Sequence, residues 1–184
     1  KLAQLSVLLD ENLIGQNHLK ATLVSLAKQA FAGTADPTKP KVRLLLAGPR
    51  GSGKTELAKV YSKTIGVPLE RFEMNNFRNG DAPLLMEKVA QALRKNAFTV
   101  LLFDELEKAP ADVRNALLAM LDSGFFNVTE NINSSSIGGT RSTKISALNA
   151  TVIATTNAGS DFILGVVESR NTAPQKTVGF KPSS

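Results

Sequence analysis

The sequence contains no cysteine and, among its 184 residues, a single histidine. The first absence excludes disulfides, thiolate nucleophiles and zinc–thiolate sites, and the second excludes clusters of histidine ligands. His18 lies in "GQNHLKATLVSLAKQAF", a helical pattern with Leu19, Leu23, Leu26, Ala27 and Ala30 on one side, and reads as a surface histidine of that helix. A serine–histidine hydrolase does not fit. Whatever chemistry exists must run on carboxylates, lysine, a hard metal and backbone amides. No stretch approaches the ~20 continuous apolar residues of a membrane span, and no charged-then-apolar leader opens the chain, so a soluble protein of the cytoplasm is expected. Aromatic residues are few, at 5%, but 42% hydrophobic against 21% charged residues is the balance of an ordinary globular protein, and the length suits one domain.

The net charge of +6 raises the question of nucleic acid, yet the bases are spread along the chain and no run of five or six occurs. Several of them (Lys39, Lys41, Arg43, Arg50, Lys54, Lys59, Lys63) stand close in sequence to a glycine-rich loop, where an anionic nucleotide accounts for them equally well. Nucleic acid is not the expected partner.

Along the chain, "GTADPTKPK" at 33–41 is a turn-rich connector, after which short apolar runs alternate with helical patterns. Strands are expected at 42–47, 68–74, 98–103 and 150–155. Helices are expected at 53–65, 83–95 and 111–123, the last with Val113, Leu117, Leu118 and Leu121 on one side. Such alternation implies a parallel sheet covered on both faces. The polar, Gly- and Ser-bearing segment 127–146 is too long for a simple connection and is expected to be a mobile or hairpin loop.

Three motifs carry chemistry. Gly48-Pro49-Arg50-Gly51-Ser52-Gly53-Lys54-Thr55 follows an apolar strand and opens a helix, as a phosphate-binding loop requires. Its glycines let backbone N–H groups close around phosphates, Lys54 reaches the β/γ oxygens, and Thr55 offers a hydroxyl to Mg²⁺. In "VLLFDELEKAP", Asp104 and Glu105 emerge at the carboxyl end of a wholly apolar strand, where ligands sit in open α/β sheets. Asp104 suits the water shell of Mg²⁺ and Glu105 suits polarising the water that attacks a γ-phosphate. Glu107 reads only as an acidic helix start. "TVIATTNAGSD" ends another apolar strand with Asn157, an amide able to bond both water and γ-phosphate. A kinase would need an acceptor site instead, so hydrolysis coupled to conformational change is the expected use of the phosphate.

On these residues the sequence resembles the AAA+ ATPases, and among them the second ATPase module of the ClpA/ClpB type, over most of its length. "LIGQNHLKATLVSLAKQAFAG" is similar to the box around Ile14, Gly15 and Gln16 that packs on adenine. "GPRGSGKTELAK" resembles the Walker A segment, "FDELEKAPADVRNALLAMLDSG" the Walker B with its following helix, and "TTNAGS" the first sensor. The resemblance implies a P-loop three-layer α/β sandwich, ATP or ADP with Mg²⁺, a hexamer in the intact parent, and a protein substrate drawn through a central pore. "TVGF" at 177–180 resembles the hydrophobic-Gly-Phe tripeptide of peptidase-docking Clp ATPases, which makes Val178, Gly179 and Phe180 a ClpP-docking candidate; an ordinary loop with an apolar anchor is the other reading.

Three departures bear on what carries over. The segment "MNNFRNGDAPLLMEKVAQALRKNAF" has no aromatic-Val-Gly pore tip, with Phe77 the aromatic nearest its start. The sequence ends at "KPSS", before the arginine-finger segment, the fifth strand and the helical lid of the family, and it begins at Lys1 without methionine. It therefore reads as a single large-subdomain fragment, 1–184, with 161–184 the loop after the first sensor, an edge at the strand feeding the phosphate loop that is left open or covered by a neighbouring chain, and poor turnover in isolation. Two alternatives stay open: a clamp-loader or helicase-like AAA+ protein acting on nucleic acid, and a degenerate nucleotide-binding assembly module that threads nothing.

Overall fold

The computed structural model describes residues 6–7, 9–11, 17–33, 36–134 and 137–158. Ile14, Gly15 and Gln16 of the adenine-box reading and Val178, Gly179 and Phe180 of the docking reading lie outside the described residues, as does the segment 161–184. The side chain of His18 is also not among those described.

The apolar runs become a four-stranded parallel sheet. Its strands are β1 (Val42–Ala47), β2 (Leu69–Glu73), β3 (Val100–Asp104) and, last in the chain, β6 (Thr151–Thr156). Their spatial order is β1-β6-β3-β2, with Leu44 beside Ile153, Leu102 beside Ile153 from the other side, and Glu73 beside Asp104. β3 is central and buried at every position, as a continuous apolar run in a parallel sheet requires. β1 lies at one margin of the sheet, and its Leu45 is 58% exposed.

Side chains alternate across this sheet, so each strand feeds two cores. Val100, Leu102, Ile153 and Leu46 face α1 (Asn17–Ala32) and α2 (Lys54–Ile65), which contribute Leu23, Ala27, Leu57 and Tyr61. Leu101, Phe103, Val152 and Phe72 face α3 (Ala82–Lys95) and α4 (Ala111–Ser123), which contribute Leu85, Val89, Val113 and Leu117. Phe72 and Phe103, neighbours across β2 and β3, stack at 5.3 Å between centroids and add to this second core. The result is the expected three-layer α/β sandwich with a parallel sheet in the middle.

In α4 the buried stripe is Val113, Leu117 and Met120, while Leu118 is 58% exposed. The expected grouping of Leu118 with Val113 and Leu117 is corrected by helix geometry. Successive residues turn by 100°, so Leu118 leaves the face that Val113 and Leu117 share, and Met120 takes the place one turn on.

The described residues of the segment 127–146 lie in an antiparallel hairpin. β4 (Phe125–Ser134) and β5 (Ile137–Ser146) pair antiparallel from Phe125↔Ser146 to Ser134↔Ile137. Its polar composition cannot bury a core of its own, but its base can borrow one. Val128 and Ile145 are buried against the α3/α4 core, with Phe126 packed beside them. Among the described residues, no helix is long and apolar enough to cross a membrane.

Candidate functional site

β1 ends at Ala47 and the chain turns through the glycine loop into α2. Gly48 N–H donates to the Thr156 carbonyl at 3.2 Å, which ties the loop's start to the end of β6. Gly51 and Gly53 take φ of 78° and 82°, left-handed values that L side chains adopt at a cost, and so the loop can fold back over the first turn of α2. That first turn carries no side-chain cap. Its leading amides and the positive end of the helix favour an anion in front of it.

Lys54 is 8% exposed, and its ammonium donates to the carbonyls of Gly48 at 2.7 Å and Pro49 at 2.8 Å and to Asn157 Oδ1 at 3.1 Å. Burial holds its pKa below the ordinary lysine value, against the opposing pull of Asp104, Glu107 and Glu105. The lysine is thus a desolvated cation surrounded by acceptors at the mouth of the loop.

Asp104 ends β3 with its side chain 8% exposed and every oxygen engaged. Thr55 Oγ1 donates to its carboxylate at 3.2–3.3 Å, Thr155 Oγ1 donates to Oδ1, and Arg71 Nε and Nη2 donate to Oδ2 at 2.9 and 2.7 Å. Burial pushes the Asp104 carboxyl up, but the bonds from Thr155, Arg71 and Thr55 outweigh it and hold the group below the usual carboxylate range. A hydroxyl and an ionised carboxylate side by side are hard oxygen donors of the type that hold Mg²⁺ together with phosphate and water. The fit is to an ion shared with a ligand: among the described residues, no group of three or more His, Cys, Asp or Glu side chains could hold a metal ion unaided.

Glu105 follows at φ 60°, the one non-glycine with positive φ among the described residues. Such a conformation costs energy in a side-chain-bearing residue and marks a site that the surroundings over-determine. Here its N–H donates to Thr155 Oγ1 at 3.0 Å, and its carboxylate meets Arg50 at 3.3 Å, Lys108, and Asn157 Nδ2 at 3.4 Å.

The sheet order brings the three sequence motifs together, because β6 lies between β1 and β3. Arg50, Lys54, Thr55, Asp104, Glu105 and Asn157 line one cavity of about 470 Å³. Three further residues join the site without having been expected there. Thr155 links the Glu105 backbone to Asp104, Arg71 pairs with Asp104, and Glu107 Oε1 accepts from Asn157 Nδ2 at 3.1 Å. Thr155 had a signal, standing near the end of β6 two residues before Asn157, which follows the strand directly. Arg71 had none, since its role depends on which strand neighbours β2.

A parallel sheet whose margin strand runs into a glycine-rich loop and helix, with acidic and amide strand ends alongside, defines a P-loop α/β module of the AAA+ kind. The chain belongs to the AAA_2 family, described as AAA domain (Cdc48 subfamily), whose sequence profile matches residues 39–181. It is similar to the chaperone protein ClpB 2 of Thermosynechococcus vestitus, 31% identical over an alignment of 180 positions that covers 89% of this chain and 19% of that protein. It is also similar to the mitochondrial chaperone protein ClpB3 of Oryza sativa, 30% identical over an alignment of 197 positions that covers 98% of this chain and 19% of that protein. A third relative, the chaperone protein ClpB 2 of Parasynechococcus marenigrum, is 37% identical over an alignment of 140 positions that covers 67% of this chain and 16% of that protein. The chain thus spans about a fifth of the length of these curated relatives. Membership carries no compartment with it, because one of these relatives is named as mitochondrial and a further one, the chaperone protein ClpB3 of Arabidopsis thaliana, as chloroplastic.

Proposed function

We propose that the chain is the ATP-binding and ATP-hydrolysing part of a Clp-type AAA+ protein that remodels other proteins as a hexamer. The observation that supports this best is the meeting of Lys54, Thr55, Asp104, Glu105 and Asn157 around a single cavity, although they come from three separate stretches of sequence. In this reading Gly48 to Thr55 hold the phosphates, with Lys54 exchanging its loop carbonyls for β/γ oxygens. Thr55 and Asp104 would hold Mg²⁺, which when bound neutralises charge on the phosphates and orients them.

Glu105 orients and polarises the attacking water, and its ion pairs with Arg50 and Lys108 hold the carboxylate in place for that task. Asn157 touches Lys54 on one side and Glu105 on the other, so its amide bridges the phosphate-binding cation and the water-polarising acid. Positioning and charge do most of the work in such a transfer. The test is calorimetric titration of the chain with ATP and ADP in Mg²⁺, followed by phosphate release from the protein with ATP. Absence of binding would remove the reading.

A second reading is favoured by one observation. The stretch between β2 and α3 is short and consists of a 3₁₀ turn at Met74–Asn76 and a few residues beyond it; Phe77 within it is 7% exposed and packed in the core. An aromatic buried there cannot grip a substrate in a pore. This supports a module that uses nucleotide for assembly without threading. Crosslinking of a labelled unfolded polypeptide to residues 78–81 during ATP turnover would count against it.

A further inference from the structure

Arg71 stands between two carboxylates. Its Nε and Nη2 donate to Asp104 Oδ2 at 2.9 and 2.7 Å, and its Nη1 lies 3.2 Å from Glu73 Oε1. The backbone explains the arrangement. Arg71 and Glu73 are two apart on β2 and share a face, and Glu73 is the register partner of Asp104 on β3, so the two carboxylates sit on neighbouring strands with the guanidinium beside both. The two acids differ in setting: the Asp104 side chain is 8% exposed and that of Glu73 is 46% exposed.

We infer that Arg71 is an internal counter-cation of Asp104 that competes with Mg²⁺ for this carboxylate, and that Glu73 receives the guanidinium when the metal arrives. The inference rests on the nucleotide reading of the site. A buried carboxylate without a cation is costly, and the fork of an arginine is the side chain that satisfies one oxygen twice over. Arg71 therefore pairs with Asp104 and orients it while no metal is bound. The same contact opposes a divalent ion, because an ion held between Thr55 and Asp104 approaches a guanidinium already bonded to the same carboxylate, and like charges repel strongly where water is partly excluded. Glu73 relieves that conflict. It already touches Arg71, it is half exposed and can follow the moving group, and both residues also line a second cavity of about 380 Å³ bounded by β2 and α3, which gives the guanidinium room to turn. Arg71 is thus a positioning residue that sets how much Mg²⁺ the site requires.

The experiment measures binding and not turnover. A fluorescent ADP analogue is bound to the 184-residue chain in EDTA and then titrated with Mg²⁺, and the half-saturating Mg²⁺ is read from the rise in affinity. Arg71→Gln is expected to lower that concentration about fivefold or more, Arg71→Lys by a smaller factor because the charge stays but the fork is lost, and Glu73→Gln to raise it at least about twofold. The opposite signs of the two outer variants are what a merely structural role would not produce. If Arg71→Gln does not fold, Arg71→Lys and the half-exposed Glu73→Gln carry the test. An unchanged or higher half-point in the Arg71 variants overturns the competition, and an unchanged or lower one in Glu73→Gln overturns the receiving role. Failure of the unsubstituted chain to bind the analogue under either condition overturns the nucleotide reading itself, and this inference with it, and is told apart by needing no variant.

Discussion

The Asn157 side-chain amide lies nearer to Glu107 than to Glu105, with Nδ2 at 3.1 Å from Glu107 Oε1 and 3.4 Å from Glu105 Oε1. Its Oδ1 accepts from Lys54 at 3.1 Å. An amide held by a cation at its oxygen and an anion at its nitrogen cannot flip. Glu107 therefore fixes the orientation in which Asn157 presents its N–H toward Glu105 and its carbonyl toward Lys54, a role that a simple acidic helix start would not have.

Glu107→Ala is predicted to lower ATP turnover about tenfold while leaving ADP affinity within about twofold, because the lost contact orients an amide and does not hold phosphate. Glu107→Gln, whose carbonyl can still accept from Nδ2, should recover most of the rate. Turnover and ADP binding measured on both variants decide the matter: equal loss in the two would mean that charge alone matters at this position.

The same contact predicts a pH dependence. Burial pushes the Glu107 carboxyl up, but bonds from its own backbone N–H, Thr156 and Asn157 outweigh it and hold the folded pKa below the ordinary glutamate value. A depressed acid contributes stability that is fully present above its unfolded pKa of ~4.3 and is lost as pH falls through the folded value. The stability difference between the unsubstituted chain and Glu107→Gln should thus be seen at pH 7 and vanish well below pH 4. Urea midpoints at the two pH values measure it, and a difference that persists in acid would assign the effect to shape.

Lys54→Ala and Glu105→Gln should separate binding from chemistry. Lys54 is a buried cation facing the phosphate loop, and its removal is predicted to weaken ATP and ADP binding at least about tenfold. Glu105 meets Arg50, Lys108 and Asn157 and is assigned to the water, so Glu105→Gln should keep nucleotide affinity while turnover falls about a hundredfold or more. Titration and phosphate release on the two variants test this, and equal loss of binding in both would sink the assignment.

Much of this fold was legible because the strands are unusually plain. "VRLLLA" is β1 at the expected residues 42–47, and "FTVLLF" and "ATVIAT" differ from β3 and β6 by a residue or two at each end, since an apolar run marks a buried strand better than it marks where pairing stops. The glycine-rich loop, Asp104, Glu105 and Asn157 stood out as motifs at strand ends, and a parallel sheet gathers strand ends at one side. What was hidden depends on lateral neighbours. Arg71 reaches Asp104 only because β2 pairs with β3, and no periodicity within "LERFE" reveals that pairing. Glu107 was hidden by a 3₁₀ turn at Leu106–Lys108, which swings a side chain expected on a helix start toward the end of β6.

The last prediction concerns the joint between α4 and the hairpin. Gly124 caps α4 at φ 69°, its N–H bonded to the Met120 carbonyl at 2.9 Å and its carbonyl accepting from Ala147 N–H at 2.8 Å. A Cβ placed there would stand 2.4 Å from Leu148 Cδ2 and 2.5 Å from the Thr38 carbonyl oxygen. The leucine can rotate away, but the carbonyl belongs to the connector before β1, which Lys41 N–H ties to the Leu148 carbonyl at 3.0 Å, so backbone must move. Gly33 offers the comparison, with φ of 74° but nothing within 4 Å of an added Cβ. Its replacement costs only the left-handed conformation, roughly 1 kcal/mol. Gly124→Ala adds a backbone clash to that cost and is predicted to destabilise by about 2–4 kcal/mol, against about 1 kcal/mol for Gly33→Ala. Because the displaced connector leads straight into β1 and the phosphate loop, Gly124→Ala should also weaken ADP binding in the fraction that remains folded, where Gly33→Ala should not. Urea unfolding of the two variants, with ADP titration at a denaturant-free concentration, checks both halves, and equal destabilisation would show that the connector yields without cost.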